Sequence, residues 1–208
     1  MEINMYIDRY KEIRFNLFKW RYELNVMYKL VLVLSFACLT GLMAQFRFYI
    51  PGLHVPVTGQ VFAVMLSGVL LGLWGGVSQM MYLGIGAAGF PWFQGFSGGL
   101  SYMMGLTGGY LIGFVLAAFF IGYMVDRYVK SRSFINMTLL MLFSTFTFIY
   151  IPGVIWFYLC SGASFGLYEI IMMCVAPFVA IDIVKILIAA SIATTITPKT
   201  AYAREIDS

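Results

Sequence analysis

From Gly84 to Tyr110 the chain reads GIGAAGFPWFQGFSGGLSYMMGLTGGY, with nine glycines, several aromatic rings and no formal charge. It is set between segments apolar enough to cross a bilayer. Glycine costs roughly 1 kcal/mol against alanine in a helix, so this stretch is expected to leave the helical state. Irregular backbone at membrane depth survives only where protein buries it or where it lines a cavity. The stretch therefore reads as a loop folded into the mouth of a helix bundle, forming part of a small-molecule pocket. A flexible external loop without a ligand would satisfy the same residues.

Composition supplies the membrane in that argument. Of 208 residues, 62% are apolar and 11% charged, well short of the roughly 25% charged residues of soluble domains. One membrane domain follows, since no long polar linker divides the apolar runs. The net charge of +4 comes largely from the N-terminal segment and one later loop. That pattern reports membrane orientation and points to no nucleic-acid partner. Cys38, Cys160 and Cys174 lie in apolar runs without CxxC or Cys/His spacing, and read as buried thiols without disulfide or metal. The first 25 residues are polar where a cleaved signal peptide needs an apolar core, so none is expected.

Along the chain, Ile3, Ile7, Tyr10, Leu17, Trp20 and Leu24 recur at helical steps, with Lys11, Arg14, Lys19 and Arg21 between them. This is an amphipathic helix for the headgroup region, or one that docks on a partner protein. Val26 to Phe46 is the first span, close to the about 20 residues a bilayer needs. Lys29 near its start can snorkel, and Ala37 and Gly41 form a small-residue pair for close helix approach. Arg47 to Thr58 is a proline-broken loop holding the sole histidine, His54, which is expected in solvent. Gly59 to Ala88 reads as two short helices joined at Leu73-Trp74-Gly75-Gly76, or as a single tilted one. The fourth helix starts near Thr107 and ends at Val125, before a charged loop with Asp126, Arg127, Lys130 and Arg132. A fifth runs from about Phe134 to Tyr158, interrupted near Pro152-Gly153. After a turn from Ser161 to Ser164, a sixth runs from about Leu167 to Ile196, kinked at Pro177.

The expected fold is an all-α membrane protein with six transmembrane helices. Residues 1–25 form an amphipathic interfacial segment, 26–197 the six-helix domain and 198–208 a cytoplasmic tail. Cations crowd the N-terminal segment, the loop after helix four and the residues after the last helix, whereas only Arg47 lies in the opposite loops. The positive-inside rule then puts both termini in the cytoplasm of a multi-pass cell-membrane protein, and the glycine-rich stretch outside.

Two charges resist this environment. Asp182 and Lys185 lie deep in the last helix, three apart on one face. Unpaired, each would cost roughly 2.5–3.5 kcal/mol at a helix centre, so they face a cavity or each other. A mutual ion pair that only packs the bundle is the plainer reading; a ligand site is the sharper one. Glu169 is near a helix end and is expected at the interface. The catalytic inventory is poor: no Walker A sequence, no HExxH, no GxSxG, and one histidine cannot build a zinc site. An enzyme is not expected, and ATP hydrolysis, if needed, must come from another chain.

VPVTGQVFAVMLSGVLLG (Val55 to Gly72), GAAGFPWFQGFSGGL (Gly86 to Leu100), GLTGGYLIGF (Gly105 to Phe114), YIPGVIW (Tyr150 to Trp156) and Asp182-x-x-Lys185 occur in this order. As a set they resemble the BioY family, the biotin-specific substrate-binding components of energy-coupling-factor transporters, over about residues 30 to 196. The resemblance implies a six-helix protein that binds biotin on its external side and needs no cofactor. A transmembrane coupling protein and two ATPase subunits would drive transport. It implies a pocket in which Gln94, Ser97, Gly98 and Gly99 oppose Asp182 and Lys185. Trp92, Phe93, Phe96, Tyr110 and Trp156 would cover the apolar rings, and Thr58 and Gln60 would line or close the site. It also assigns Ala37 and Gly41 to the contact with the coupling protein. The chain departs from the family pattern at Leu73-Trp74-Gly75-Gly76, at Ala180 and Ile181, at Leu106 and at Gln94. The rivals are a substrate component for another vitamin, such as thiamin or riboflavin, an intramembrane enzyme, or a structural membrane subunit.

Overall fold

Inside a bilayer only hydrogen bonding within a segment or a closed barrel satisfies the backbone, and the long apolar runs of this chain fold as helices. A computed structural model describes residues 2–49, 56–162, 164–202 and 205–207. His54 and the Pro51-Gly52 break lie outside the described residues, as does Ala163 of the Ser161–Ser164 turn. The helices are α1 (Glu2–Glu23), α2 (Val26–Gln45), α3 (Gln60–Leu71), α4 (Leu73–Ala87), the single-turn α5 (Leu100–Met103) and α6 (Gly108–Arg127). After a 3-10 turn at Val129–Arg132 come α7 (Phe134–Ser144), α8 (Ile151–Cys160), α9 (Leu167–Cys174) and α10 (Ala176–Ile196). The only strands among the described residues are two of two residues each. β1 (Arg47–Phe48) pairs antiparallel with β2 (Val57–Thr58), pinching the loop between α2 and α3 at its base.

Among the described residues four helical stretches are long and apolar enough to cross a membrane: Val26–Gln45, Gly108–Arg127, Phe134–Cys160 and Tyr168–Ile196. The pair α3 and α4, of 12 and 15 residues, falls short of the about 20 residues of a straight span. Ten of the 12 residues of α3 are buried, so it stands in the middle of the bundle, packed by α2, α4, α6 and α10. Its neighbours, not its length, keep its ends from lipid.

The turn inside this pair is not at Gly75-Gly76, which lie within α4. It is at Gly72, whose φ of +63° is left-handed. A Cβ there would also collide with the Asp126 carboxylate. Gly75 and Gly76 serve packing instead, letting α4 close on the Ser67 backbone and the Phe119 ring. Gly72→Ala is therefore expected to destabilise the fold by about 1–3 kcal/mol, read as a lower melting temperature in detergent. Gly75→Ala tests close approach alone.

Both long prolyl helices bend where the missing N–H demands it. Ahead of Pro152, residues Thr145–Tyr150 open into a π-helical stretch, so Phe134–Cys160 continues as one helix with a change of register. Ahead of Pro177 the helix breaks outright at Val175, with φ −127° and ψ −61°. Phe178 N–H bonds the Val175 carbonyl there.

The N-terminal segment is a helix as expected. Tyr6, Ile7, Tyr10, Ile13, Leu17 and Trp20 are exposed on it. The face carrying Tyr10, Arg14, Phe18 and Arg21 holds it to the bundle: Tyr10 and Arg14 donate to the Thr195 carbonyl, Phe18 is fully buried and Arg21 is 6% exposed. Arg21 donates to Asp126 at 2.6 Å, to Tyr202 Oη at 2.9 Å and to the Leu70 carbonyl at 3.1 Å. Burial alone would lower the Arg21 guanidinium; Asp126 and Tyr202 more than reverse this, so it holds its proton above the ordinary value. The residues after α10 are docked on the same end through Arg132, Tyr202, Glu205 and Asp207. Of the three thiols only Cys174 is buried; Cys38 and Cys160 are exposed on outer faces, against expectation. Glu169 caps α9, accepting from Gly166 N–H at 2.9 Å.

Candidate functional site

The two prolyl bends converge on one carboxylate. Asp182 lies two turns beyond the Val175 break and is 4% exposed. Its Oδ1 accepts from Lys185 Nζ at 2.7 Å, one turn further along α10. Its Oδ2 accepts from Tyr150 Oη at 2.7 Å, and Tyr150 is the last residue of the π-helical stretch. Both oxygens are thus oriented by donors from two different helices. A carboxylate offers about four lone-pair sites, so acceptor capacity remains on each.

These three side chains border a concave, mostly apolar pocket, the form that small-molecule sites take. The β2–α3 junction contributes Pro56, Thr58, Gln60 and Val61. The glycine-rich stretch and the start of α6 contribute Gln94, Tyr102, Thr107, Tyr110, Leu111 and Phe114. Ile149 and Phe178 complete an apolar wall beside the ion pair. Thr58 Oγ1 donates to Gln60 Oε1 at 2.9 Å, and Gln60 Nε2 donates to Tyr82 Oη at 3.0 Å. Tyr102 Oη donates to Gln94 Oε1 at 3.1 Å, while Gln94 Nε2 donates to Tyr49 Oη at 2.9 Å. Tyr110 Oη donates to the Cys174 carbonyl at 2.8 Å, which lies at the α9–α10 break. The arrangement suits a compact ligand with hydrogen-bonding groups at one end and hydrocarbon along its side. Among the described residues no His/Cys/Asp/Glu group could hold a metal ion.

Asp182, Lys185, Gln94, Tyr110, Thr58 and Gln60 are the expected residues that the structure brings to this cavity. The others are placed elsewhere, each for a packing reason. Trp92 is 7% exposed, lies tilted against the Tyr82 ring at 5.2 Å and donates its indole N–H to the Tyr82 carbonyl at 2.9 Å. Trp156 donates to the Gly105 carbonyl at 2.9 Å and covers Gly108 and Gly109. Ser97 accepts through its carbonyl from Phe93 N–H at 2.9 Å, closing a tight turn. Gly98 backs on the Phe90 carbonyl, and Gly99, at φ +93°, donates to the Gly86 carbonyl at 2.7 Å. Phe93 is fully buried and Phe96 is 71% exposed. The glycine-rich stretch is therefore a wall of the cavity only through Gln94, Tyr102, Thr107 and Tyr110. Ala37 and Gly41 face inward: Ala37 is fully buried and Gly41 lies under the Trp92 ring. In this structure the pair is turned into the protein, Gly41 beneath the loop that follows α4, and is not on an outer face.

Sequence reasoning missed Tyr150, Tyr102, Thr107 and Phe178. Pro152 signalled that the helix departs from regular geometry near Tyr150, since an interior proline removes an i→i−4 hydrogen bond, but not which side chain would face the cavity. Gln45 was also missed. Its Nε2 donates to the Phe93 and Trp92 carbonyls at 3.0 and 3.3 Å, and its Oε1 accepts from Phe96 N–H at 3.1 Å. That one side chain pins the loop to α2.

Comparison with known proteins gives concordant results. The model of the BioY family matches residues 15–202. A probable biotin transporter BioY of Methanothermobacter thermautotrophicus is 47% identical over 147 residues, covering 68% of this chain and 94% of that one. The biotin transporter BioY of Thermotoga maritima is 38% identical over 140 residues, covering 67% and 79%. A crystal structure of the S-component for biotin from an ECF-type ABC transporter superposes with a TM-score of 0.73 at 22% identity, over 81% of this chain and 89% of that one. At that identity it speaks for the fold.

Proposed function

The chain belongs to the BioY family, and on that premise we propose that it is the biotin-binding membrane subunit of a vitamin-uptake system. The observation that carries this reading is Asp182, buried at an apolar pocket with both oxygens oriented and lone pairs to spare. Biotin brings a ureido group with two N–H donors and one carbonyl, an apolar bicycle and a carboxylate tail. Asp182 accepts from the ureido N–H groups. Lys185 balances the Asp182 charge and has donors left for the ureido oxygen. Val61, Leu111, Phe114, Ile149 and Phe178 cover the bicycle, and Gln94, Tyr102 and Thr107 receive the tail from the glycine-rich loop.

In this reading the four long helices and the short pair α3–α4 make six crossings of the cell membrane, with both termini cytoplasmic and the glycine-rich loop outside. Residues 26–197 are the binding domain, and α1 lies at the cytoplasmic interface against lipid headgroups. The chain works as a transport subunit, not as an enzyme. A transmembrane coupling protein and two ATPase subunits supply the energy, since no nucleotide-binding motif is present in the sequence. With Ala37 and Gly41 packed inward, their meeting with the coupling protein requires α2 to move from its place against α4.

A thermal-melting panel on the purified protein in detergent tests the ligand. Biotin at about 100 times its dissociation constant should add about 2.7 kcal/mol of stability by mass action, while thiamin and riboflavin should add none. A shift with either of those and none with biotin replaces the ligand. Absence of any shift removes the vitamin-binding reading altogether.

A further inference from the structure

A second cleft opens where the α1–α2 link meets the α3–α4 turn. Its charge comes from Arg21, Lys29 and Asp126, and its apolar side includes Leu32, Leu73 and Trp74. Asp126 Oδ1 already accepts from Arg21 Nη2 at 2.6 Å and from Tyr202 Oη at 2.7 Å, so these two charges cancel. Lys29 is different. Its Nζ donates to the Tyr22 carbonyl at 2.9 Å and stands 6.0 and 5.9 Å from the Tyr22 and Trp74 ring centres. Among the described residues it has no carboxylate within ion-pair distance. The cleft carries one net positive charge, on an ammonium with donors to spare.

Position decides what could meet that charge. Lys29 is in the first turn of the spanning helix α2, and Trp74 is in the first turn of α4. Both mark the level where a bilayer changes from headgroup to hydrocarbon, the level that tryptophan and lysine favour. Leu73, beside them, is half exposed at 50%, left uncovered by the described residues. A soluble anion would use the ammonium and leave the leucines bare. A phospholipid uses both.

We propose that this cleft binds an anionic phospholipid, the Lys29 ammonium meeting its phosphodiester and Leu32, Leu73 and Trp74 receiving the upper acyl chain. Basic pockets between membrane helices hold lipid headgroups in this way. Bound there, the lipid bridges the α1–α2 link to the α3–α4 turn, alongside the Arg21–Asp126 bond. The proposal rests on the chain's place in the membrane and is independent of the ligand assigned to the Asp182 cavity.

The test uses delipidated full-length protein in detergent, titrated with phosphatidylglycerol, phosphatidylcholine or inorganic phosphate, and read by native mass spectrometry and thermal melting. Phosphatidylglycerol should bind saturably and raise the melting temperature; the other two should not. Lys29→Gln should weaken phosphatidylglycerol about fivefold, one basic residue's share of such attraction, whereas Lys29→Arg should keep it and Lys11→Gln on the exposed side of α1 should change nothing. Equal shifts with phosphatidylcholine, or a Lys29→Gln variant that binds like the unaltered chain, overturn the proposal. So does a shift with inorganic phosphate alone, which would make this a soluble-anion site. Biotin binding should be unchanged in every one of these variants, so failure here leaves the Asp182 cavity's assignment standing.

Discussion

Asp182→Asn protein should melt as a folded species and bind biotin roughly 100-fold more weakly or worse, measured by titration calorimetry in detergent. Two losses add. The amide offers one acceptor oxygen where the carboxylate offers two, and hydrogen bonds to charged groups contribute about 1.5–3 kcal/mol each. The amide also leaves the Lys185 ammonium without its counter-ion at a side chain only 16% exposed. Breaking a buried pair by removing one partner costs about 3–5 kcal/mol, so melting without ligand must be measured beside affinity. Tyr150→Phe separates the two effects. It leaves the Lys185–Asp182 pair in place and removes one donor from Oδ2, and is expected to weaken biotin about tenfold with a small change in melting. A folded Asp182→Asn protein that binds biotin as tightly as the unaltered chain removes Asp182 from the site.

That Asp182 could be picked out beforehand reflects the solvent. A bilayer makes a buried charge so costly that position alone marks it, and the same holds for Lys185. Aromatic residues carry no such mark. Trp92 and Trp156 stood in the right stretches, yet their indole N–H groups are spent on the Tyr82 and Gly105 carbonyls and their rings on glycine faces. A ring in lipid packs against protein as readily as against ligand, and only three-dimensional placement separates the two. Tyr150 was hidden for a different reason: the register of a helix past a π-helical stretch is not written in its periodicity.

The helices themselves were legible, because apolar length fixes them. Their joints were less so. The Gly75-Gly76 pair outweighs single Gly72 as a local turn signal, but the reversal sits where Asp126 leaves room for hydrogen alone. The segment after α10 looked like a free tail, since its local composition is polar. Its order comes from Arg132 and Glu205, 73 positions apart, a pairing that no window of sequence contains.

Arg132→Ala is the second change with a large expected effect, and it acts on stability with little effect on binding. The guanidinium is fully buried. It donates to the Val125 carbonyl at 2.9 Å, the Thr200 carbonyl at 3.0 Å and Glu205 Oε1 at 2.7 Å, and stands 4.5 Å from the Tyr202 ring centre. Truncation takes the guanidinium from the Glu205 carboxylate, itself fully buried as a side chain and still bonded by Tyr202 N–H at 2.9 Å; breaking a buried pair in this way costs about 3–5 kcal/mol. For a chain of this size that is roughly 10 °C of melting temperature. Residues 198–208 should become open to proteolysis, and Arg132→Lys should not rescue them, because an ammonium cannot reproduce the planar fork. Biotin affinity should stay within about twofold: Val125 is 11 residues along α6 from Phe114 of the cavity, roughly 16 Å, with the packed centre of the bundle between. Should Arg132→Ala instead melt normally and lose biotin, the two ends of the molecule would be coupled through α6, and the docked segment would belong to the binding machinery and not to the scaffold.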